Sequence, residues 1–340
     1  MPITIKDIAQ KAGVSIKTVS RVINNEQNVA ETTRNNVLLV IDDLGYVPNL
    51  SAQRLARGSS GLIGLILGNA TASYIMTVIN GLLDYGDLHN FRVSLHRVDT
   101  NKPHQVQNVI GRALQNGVEG FIITPPCDNA EKIIETFRNT NFPFIILSPR
   151  DRNQNYSWVT SNDYKGSMEA TKYLLELGHK SIGFIQGNSD HQASWDRFQG
   201  FKKAMDQAGL TPEVEYCRQG DWTAQSGYEQ GTKLLSLKKR PTAILTSNDQ
   251  CASGVIQAAW KLGINCPEQL SVIGYDDVPL AQQLTPPLTT VRQPIYEIAT
   301  HAVSILIEHL VEHPNQHITH ELDTKLIVRN STTANSQTKE

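Results

Sequence analysis

The sequence predicts an α/β chain in two parts: a short all-helical head and a long body of parallel sheets covered by helices. Three observations carry that expectation. From residue 61 onward, short apolar runs alternate with amphipathic stretches, as parallel strands buried on both faces require. Within the first sixty residues the apolar positions recur at helical spacing. Between the two parts lies Gly58-Ser59-Ser60-Gly61, a flexible breaker. The expected boundaries are 1–48 for the head, 49–60 for a hinge segment and linker, 61–330 for the body and 331–340 for a disordered polar tail.

In the head, Thr4 followed three residues later by Asp7 is a capping-box pattern that opens a first helix with Ile5, Ile8, Ala9 and Ala12 on one stripe. Gly13 ends it, and Ser15 is a good N-cap for a second helix. There Val19, Val22 and Ile23 gather on one side, while Ile16, Lys17, Ser20, Arg21 and Asn24 gather on the other. A third helix, about Glu31–Leu44, offers Val37, Leu38 and Ile41 to the same small core. A helix, a glycine turn and a helix with a polar outer face make a helix-turn-helix, whose second helix enters the major groove. Amide, guanidinium and ammonium groups on that face can bond base edges and phosphates, and Ile16 can meet a thymine methyl. Thr4, Ser15 and Thr18 are counted with these as DNA-contacting candidates.

The stretches TIKDIAQKAGVSIKTVSRVINN and LGYVPNLSAQRLARG closely resemble the DNA-binding head of the LacI/GalR family of bacterial transcription regulators. The resemblance continues through the body. Ala30 departs from the Ser or Thr that the family places before its third helix. The resemblance implies that Asn49–Arg57 folds as a hinge helix only on operator DNA, pairs with its dimer mate and drives Leu55 into the minor groove. Such a wedge bends the duplex. It implies DNA contacts from Asn49, Ser51, Ala52, Leu55 and Ala56.

In the body, strands are expected at Leu62–Leu67, Arg92–His96, Gly120–Ile123, Phe144–Leu147, Ser181–Ile185, Ala243–Thr246 and Ser271–Tyr275. Helices are expected at Thr77–Leu88, Val106–Asn116, Lys165–Leu177, Arg197–Ala208 and Ala252–Leu262. Two sets of about five units suggest two lobes, with PPLTTVRQP as a return crossing. The resemblance implies a periplasmic-binding-protein-like body, two lobes joined by three crossings around a ligand cleft, with helix Ile295–Val311 returned to the first lobe.

Ligands of open α/β sheets sit beyond the carboxyl ends of the strands. Asn69, Ser148, Asn248 and Asp276 fall directly after expected strands, Arg197 is expected to open a helix, and Trp222 lies in the loop GDWTAQSGY. Carboxylate, amide and guanidinium groups bond paired hydroxyls, and an indole covers an apolar sugar face. That set favours a neutral polyol. The resemblance matches Arg197 in SWDRFQG, Asn248 in SNDQ, Asp276 in GYDD and Trp222 to family effector contacts. Ser148 stands where the lactose-repressor type has an aspartate. Tyr74 and Asp163, the latter in SNDYKG with the family's usual pair order reversed, complete the candidates.

Composition narrows the classes. The chain has 340 residues and a net charge of −2, yet residues 1–60 hold seven Lys/Arg against five Asp/Glu, so a basic head precedes an acidic body. The four cysteines lie far apart without a CxxC pair, which argues for reduced thiols rather than a disulfide framework. No phosphate-loop, hydrolase or zinc-peptidase signature occurs. His309, His313 and His317 have ligand-like spacing, but Pro314 interrupts them and no metal or cofactor is assigned. No apolar run is long enough for a membrane span, and the N-terminus carries no secretion signal. The expectation is a non-enzymatic cytoplasmic regulator, a repressor of carbohydrate-utilisation genes. It binds pseudo-palindromic operator DNA as a homodimer and answers to a small sugar-like effector. The competing readings are a sugar-binding protein or a glycoside-acting enzyme.

Overall fold

The structure, a computed structural model, describes residues 3–23, 26, 28–46, 59–68, 70–98, 102–125, 130–140, 142–152, 155–311 and 317–335. Its contacts divide the chain into two compact units, Met1–Ser60 and Gly61–Glu340.

The first unit holds α1 (Ile5–Ala12), α2 (Ile16–Ile23) and α3 (Glu31–Leu44). Asp7 Oδ2 accepts from both the Thr4 backbone N–H, at 2.8 Å, and the Thr4 hydroxyl, at 2.7 Å, which closes the start of α1. Gly13 ends α1 with φ +67° and returns its N–H to the carbonyls of Ala9 and Gln10, a conformation a side chain would strain. Ser15 Oγ then accepts from Thr18 N at 3.1 Å and starts α2. Ile8, Ala9, Ala12, Val19, Val22 and Val37 form the core, with Val40, Ile41 and Leu44 packed against it. Leu38, expected inside, is 46% exposed. The inward stripe of α3 is Val37, Val40, Ile41 and Leu44, and Leu38 sits one residue to its side.

The second unit begins with β1 (Leu62–Leu67), α4 (Ala72–His89), β2 (Arg92–Arg97), α5 (Pro103–Gln115), β3 (Val118–Ile123), α6 (Ala130–Asn139), β4 (Phe144–Leu147) and β5 (Ser157–Ser161). It continues with α7 (Asp163–Glu176), β6 (Ile182–Gln186), α8 (Gln192–Gln207), β7 (Cys217–Gln219), α9 (Ala224–Leu235), β8 (Ala243–Thr246), α10 (Asp249–Lys261), β9 (Ser271–Asp276) and α11 (Pro279–Gln283). The chain closes with β10 (Thr289–Arg292), α12 (Ile295–Val311), β11 (Thr319–Leu322) and β12 (Lys325–Ile327).

Two six-stranded sheets result, ordered β11-β5-β4-β3-β1-β2 and β12-β10-β9-β8-β6-β7. Every pairing is parallel except β10 with β12. Strand residues alternate between two cores on each sheet. In the first sheet Ile122 and Ile145 join Val303 and Leu306 on one face, while Phe121 and Ile146 join Phe137 on the other. In the second, Ile244 and Val272 meet Ala252 and Val255, and Leu245 and Ile273 meet Phe201 and Met205. Burial on both faces is why these strands read as continuous apolar runs.

The chain passes between the sheets three times, at Asn162 from β5 to α7, at Gln293-Pro294 from β10 to α12, and at Asp323-Thr324 from β11 to β12. Helix α12 returns to the first sheet. Its approach is close, since a Cβ on Gly81 of α4 would meet Tyr296 O at 2.8 Å. No described helix is long and apolar enough to cross a membrane.

Two further expectations are corrected. Arg197 does not open its helix; α8 starts five residues earlier, at Gln192, and places Arg197 in the second turn. The tail is not disordered from residue 331. Ser331 is fully buried, and its hydroxyl accepts from Thr289 N at 2.8 Å and donates to Val272 O at 2.6 Å. Asn335 N donates to Leu177 O at 2.8 Å. Short polar side chains found backbone partners here, so the lack of apolar groups did not leave the segment loose; 336–340 lie outside the described residues.

Candidate functional site

Two places gather the candidate residues. On the head, Lys17 is exposed, Ile16 is 45% exposed, and Ser20 and Arg21 are half-buried on the face of α2 away from Val19 and Val22, while the half-buried Thr18 lies beside Val22 with its hydroxyl 2.8 Å from that of Ser15. Arg21 Nε stands 3.6 Å from Glu26 Oε2, a loose surface pair that leaves the guanidinium available to a stronger anion. Thr4 and Ser15 are engaged as caps, with exposed side chains. Asn24, Asn49, Ser51, Ala52, Leu55 and Ala56 lie outside the described residues.

In the body, a cavity opens beyond the carboxyl ends of both sheets. Thr71, Tyr74 and Ser148 line it from the first lobe, and His191, Gln192, Arg197, Trp222, Asn248 and Asp276 from the second; Gln293 adds the crossing. Tyr74, Ser148, Arg197, Trp222, Asn248 and Asp276 are therefore brought together. Asn69 lies outside the described residues. Asp163 is buried and does not line the cavity, but holds Arg197 from behind. Thr71, His191, Gln192 and Gln293 were missed: Thr71 and His191 precede helices, Gln192 opens one and Gln293 lies at a crossing, with no motif to mark them.

Arg197 is the centre of charge. Its Nε donates to Asp163 Oδ1 at 2.9 Å, its Nη1 donates to Ser247 O, and Nη1 stands 3.6 Å from Asp276 Oδ1. The guanidinium lies 3.7 Å over the Tyr275 ring and 5.1 Å from the Trp222 ring. Burial opposes its charge, yet Asp163 and Asp276 raise its pKa, so it stays a cation. The contacts close into a ring. Ser161 Oγ lies 3.1 Å from Asp163 Oδ2 and 2.8 Å from Gln293 Oε1, and Gln293 Nε2 donates to Asp276 Oδ1. Thus the crossing at Gln293 is bonded directly to the cavity's carboxylate, and Ser161, which precedes the crossing at Asn162, reaches it through Gln293.

Burial pushes the Asp276 carboxyl up to about 6, against the opposing pull of Arg197 and Gln293. Burial with the nearby Arg197 charge pushes His191 down to about 4, so its imidazole is neutral at pH 7. Asn248 caps α10, accepting from Cys251 N at 2.8 Å and donating to Trp222 O at 3.0 Å, which leaves one amide hydrogen unspent. Two further buried donors in the lining, the Tyr74 hydroxyl and Trp222 Nε1, have no hydrogen-bond partner of good geometry. Ser148, Trp222 and Asp276 hold φ of +48°, +74° and +103°, strain of the kind stored at ligand sites.

The Trp222 indole needs Gly187, where a Cβ would sit 2.3 Å from its Cζ2. Gly187→Ala is expected to displace the indole and cut affinity for a cavity ligand, with the melting temperature of the body little changed. Near-ultraviolet circular dichroism and calorimetric titration check both halves.

Residues 4–49 match a family described as bacterial regulatory proteins, lacI family, and residues 171–332 match a periplasmic binding protein-like domain. The chain is 34% identical over 331 residues to a protein of Proteus mirabilis named HTH-type transcriptional repressor PurR, covering 96% of each. A solved lac repressor dimer bound to operator and the anti-inducer ONPF is similar at 28% identity and a TM-score of 0.77, covering 98% of this chain and 100% of that one. A transcriptional regulator CelR–cellobiose complex is similar at 25% identity and a TM-score of 0.74, covering 97% and 99%.

Proposed function

The chain belongs to the lacI family of bacterial regulatory proteins, which are DNA-binding transcription regulators, and from that premise we propose that it is a repressor whose operator affinity is set by a neutral sugar in the body's cavity. The observation that carries the effector class is the neutralised arginine. Arg197 is the sole cation among the described lining residues, and its charge is already met by Asp163 at 2.9 Å and Asp276 at 3.6 Å. A sugar phosphate or sugar acid would enter a site with an excess of carboxylate. Hydroxyls suit it better: Asp276 accepts them, Asn248, Tyr74 and Trp222 Nε1 donate to them, and the indole face covers a ring's apolar side.

Lys17, Ser20 and Arg21, with Ile16, read the major groove of a pseudo-palindromic operator, each protomer of a homodimer taking one half-site. A second copy of the body has a surface to cover. Met76, Leu83 and Leu88 on α4 and Leu95 on the edge strand β2 are all exposed. Operator binding places the protein's work in the cytoplasm.

Calorimetric titration with panels of neutral sugars and sugar phosphates tests the effector class, and pH sharpens it. Asp276 serves as a double acceptor only when ionised, so affinity for a neutral sugar is expected to be full near pH 7.5. It falls as pH drops through about 6, toward a limit on the order of tenfold per unit. His191 and Arg197 keep their charge states across that window. Binding that does not change between pH 7.5 and 5 would remove Asp276 from the contact, and tighter binding of the sugar phosphates would overturn the neutral class.

A further inference from the structure

The cavity's two walls are tied together by an ion pair that lies outside the lining. Arg152, in the loop between β4 and β5, belongs to the first lobe, and its Nη2 donates to Asp196 Oδ2 at 2.6 Å on α8 of the second lobe. The other oxygen of the same carboxylate, Asp196 Oδ1, accepts from Gln192 Nε2 at 2.8 Å, and Gln192 lines the cavity. Behind the arginine the chain of contacts continues in the first lobe. Arg152 Nη1 donates to Glu321 Oε1 at 3.1 Å, and Glu321 Oε2 accepts from Asn162 Nδ2 at 2.9 Å, at the first crossing. The pair is well shielded, with side-chain exposures of 28% for Arg152 and 14% for Asp196.

We propose that Arg152 is a positioning residue for the cavity: it clamps the two lobes through Asp196 and, by occupying one carboxylate oxygen, holds the other where it orients Gln192 toward a bound ligand. This rests on the reading of the cavity as an effector site, but the clamp itself is made by the body's own side chains. Asp196 stands beside Arg197 on the same helix, so the clamp and the ligand-facing cation move as one rigid segment. The geometry requires both partners. Without Arg152, Asp196 keeps Gln192 alone, and no described ion pair or hydrogen bond would then join α8 to the loop between β4 and β5. Lobe closure and the presentation of Gln192 are thereby coupled, which gives a ligand touching Gln192 a direct hold on the relative position of the lobes.

The test uses the full-length protein without any ligand. Spin labels are attached through genetically encoded ketones at Glu135 on α6 and Lys203 on α8, both exposed, in an excess of unlabelled chains. Pulsed dipolar spectroscopy then reads the interlobe distance. Arg152→Met and Asp196→Asn are each expected to broaden the distribution and move it from the wild-type position. Arg152→Lys, which keeps the charge, and the exchanged pair Arg152→Asp with Asp196→Arg are expected to restore it. A merely structural role would be seen as loss of melting temperature without this pattern of rescue. An unchanged distribution in Arg152→Met, or a broadened one that neither Arg152→Lys nor the exchanged pair restores, would overturn the clamp. Because no effector is present, a cavity that takes no sugar leaves this outcome unaffected.

Discussion

Arg197→Met is expected to lower the unfolding free energy of the body by about 3–5 kcal/mol at pH 7, because it strands two buried carboxylates without their cation. Asp163 and Arg197 are almost fully buried, and Asp276 nearly so, so solvent screens their charges little. The deficit has a pH signature. Asp276 already titrates near 6 with the guanidinium beside it, and removal of that cation pushes its carboxyl higher still. A carboxyl whose folded pKa exceeds its unfolded value favours the folded state at low pH and loses that contribution as pH rises. The mutant should therefore close part of its gap to wild type at pH 5. Urea denaturation at pH 7.5 and pH 5 measures both; a deficit under 1 kcal/mol, or one that widens in acid, would contradict this account of the arginine.

Much of this arrangement was legible in the sequence, for identifiable reasons. Strands Leu62–Leu67, Phe144–Leu147 and Ala243–Thr246 have the bounds expected, because unbroken apolar runs buried on both faces mark them, and helix Ile295–Val311 has the bounds that the family resemblance implied. Strands Cys217–Gln219, Thr319–Leu322 and Lys325–Ile327 mix charged and polar residues into three or four positions and so show no apolar run; pairing with neighbours creates them. Ser157–Ser161 and helices Ala130–Asn139 and Ala224–Leu235 were missed as well, the last rich in small and polar residues. At the site, residues directly after expected strands were found by topology, whereas Gln293 follows β10, a strand not expected, and Gln192 opens a helix that starts five residues before its expected start. The partners of Asp163 were invisible in the same way, since Arg197 lies 34 residues away.

Arg21→Ala is expected to weaken operator binding by about one to two orders of magnitude, the equivalent of roughly 1–3 kcal/mol, and to relax discrimination at the base pair it reads. The fold of the head should not change, because Arg21 projects from α2 away from Val19 and Val22 and its ion pair with Glu26 is loose and exposed. Lys17→Ala, if that side chain meets phosphate, should weaken all sequences alike and lower the salt dependence. Electrophoretic mobility shifts on an operator selected from a random pool, at two salt concentrations, separate the roles. Wild-type affinity in Arg21→Ala would show that α2 is not the reading helix.

The central claim, that a sugar seated on Asp276 governs operator affinity, is tested most directly by titrating the selected operator with wild type and Asp276→Asn, each with and without the neutral sugar that binds the cavity. The substitution replaces one acceptor oxygen by a donor and leaves a buried mismatch that costs on the order of 1–3 kcal/mol of sugar binding. The account predicts that the sugar shifts the wild-type curve, that Asp276→Asn binds operator as wild type does in its absence, and that the mutant curve moves little when sugar is added. A mutant curve that shifts as far as the wild-type one would contradict it, and so would loss of operator binding before any sugar is present.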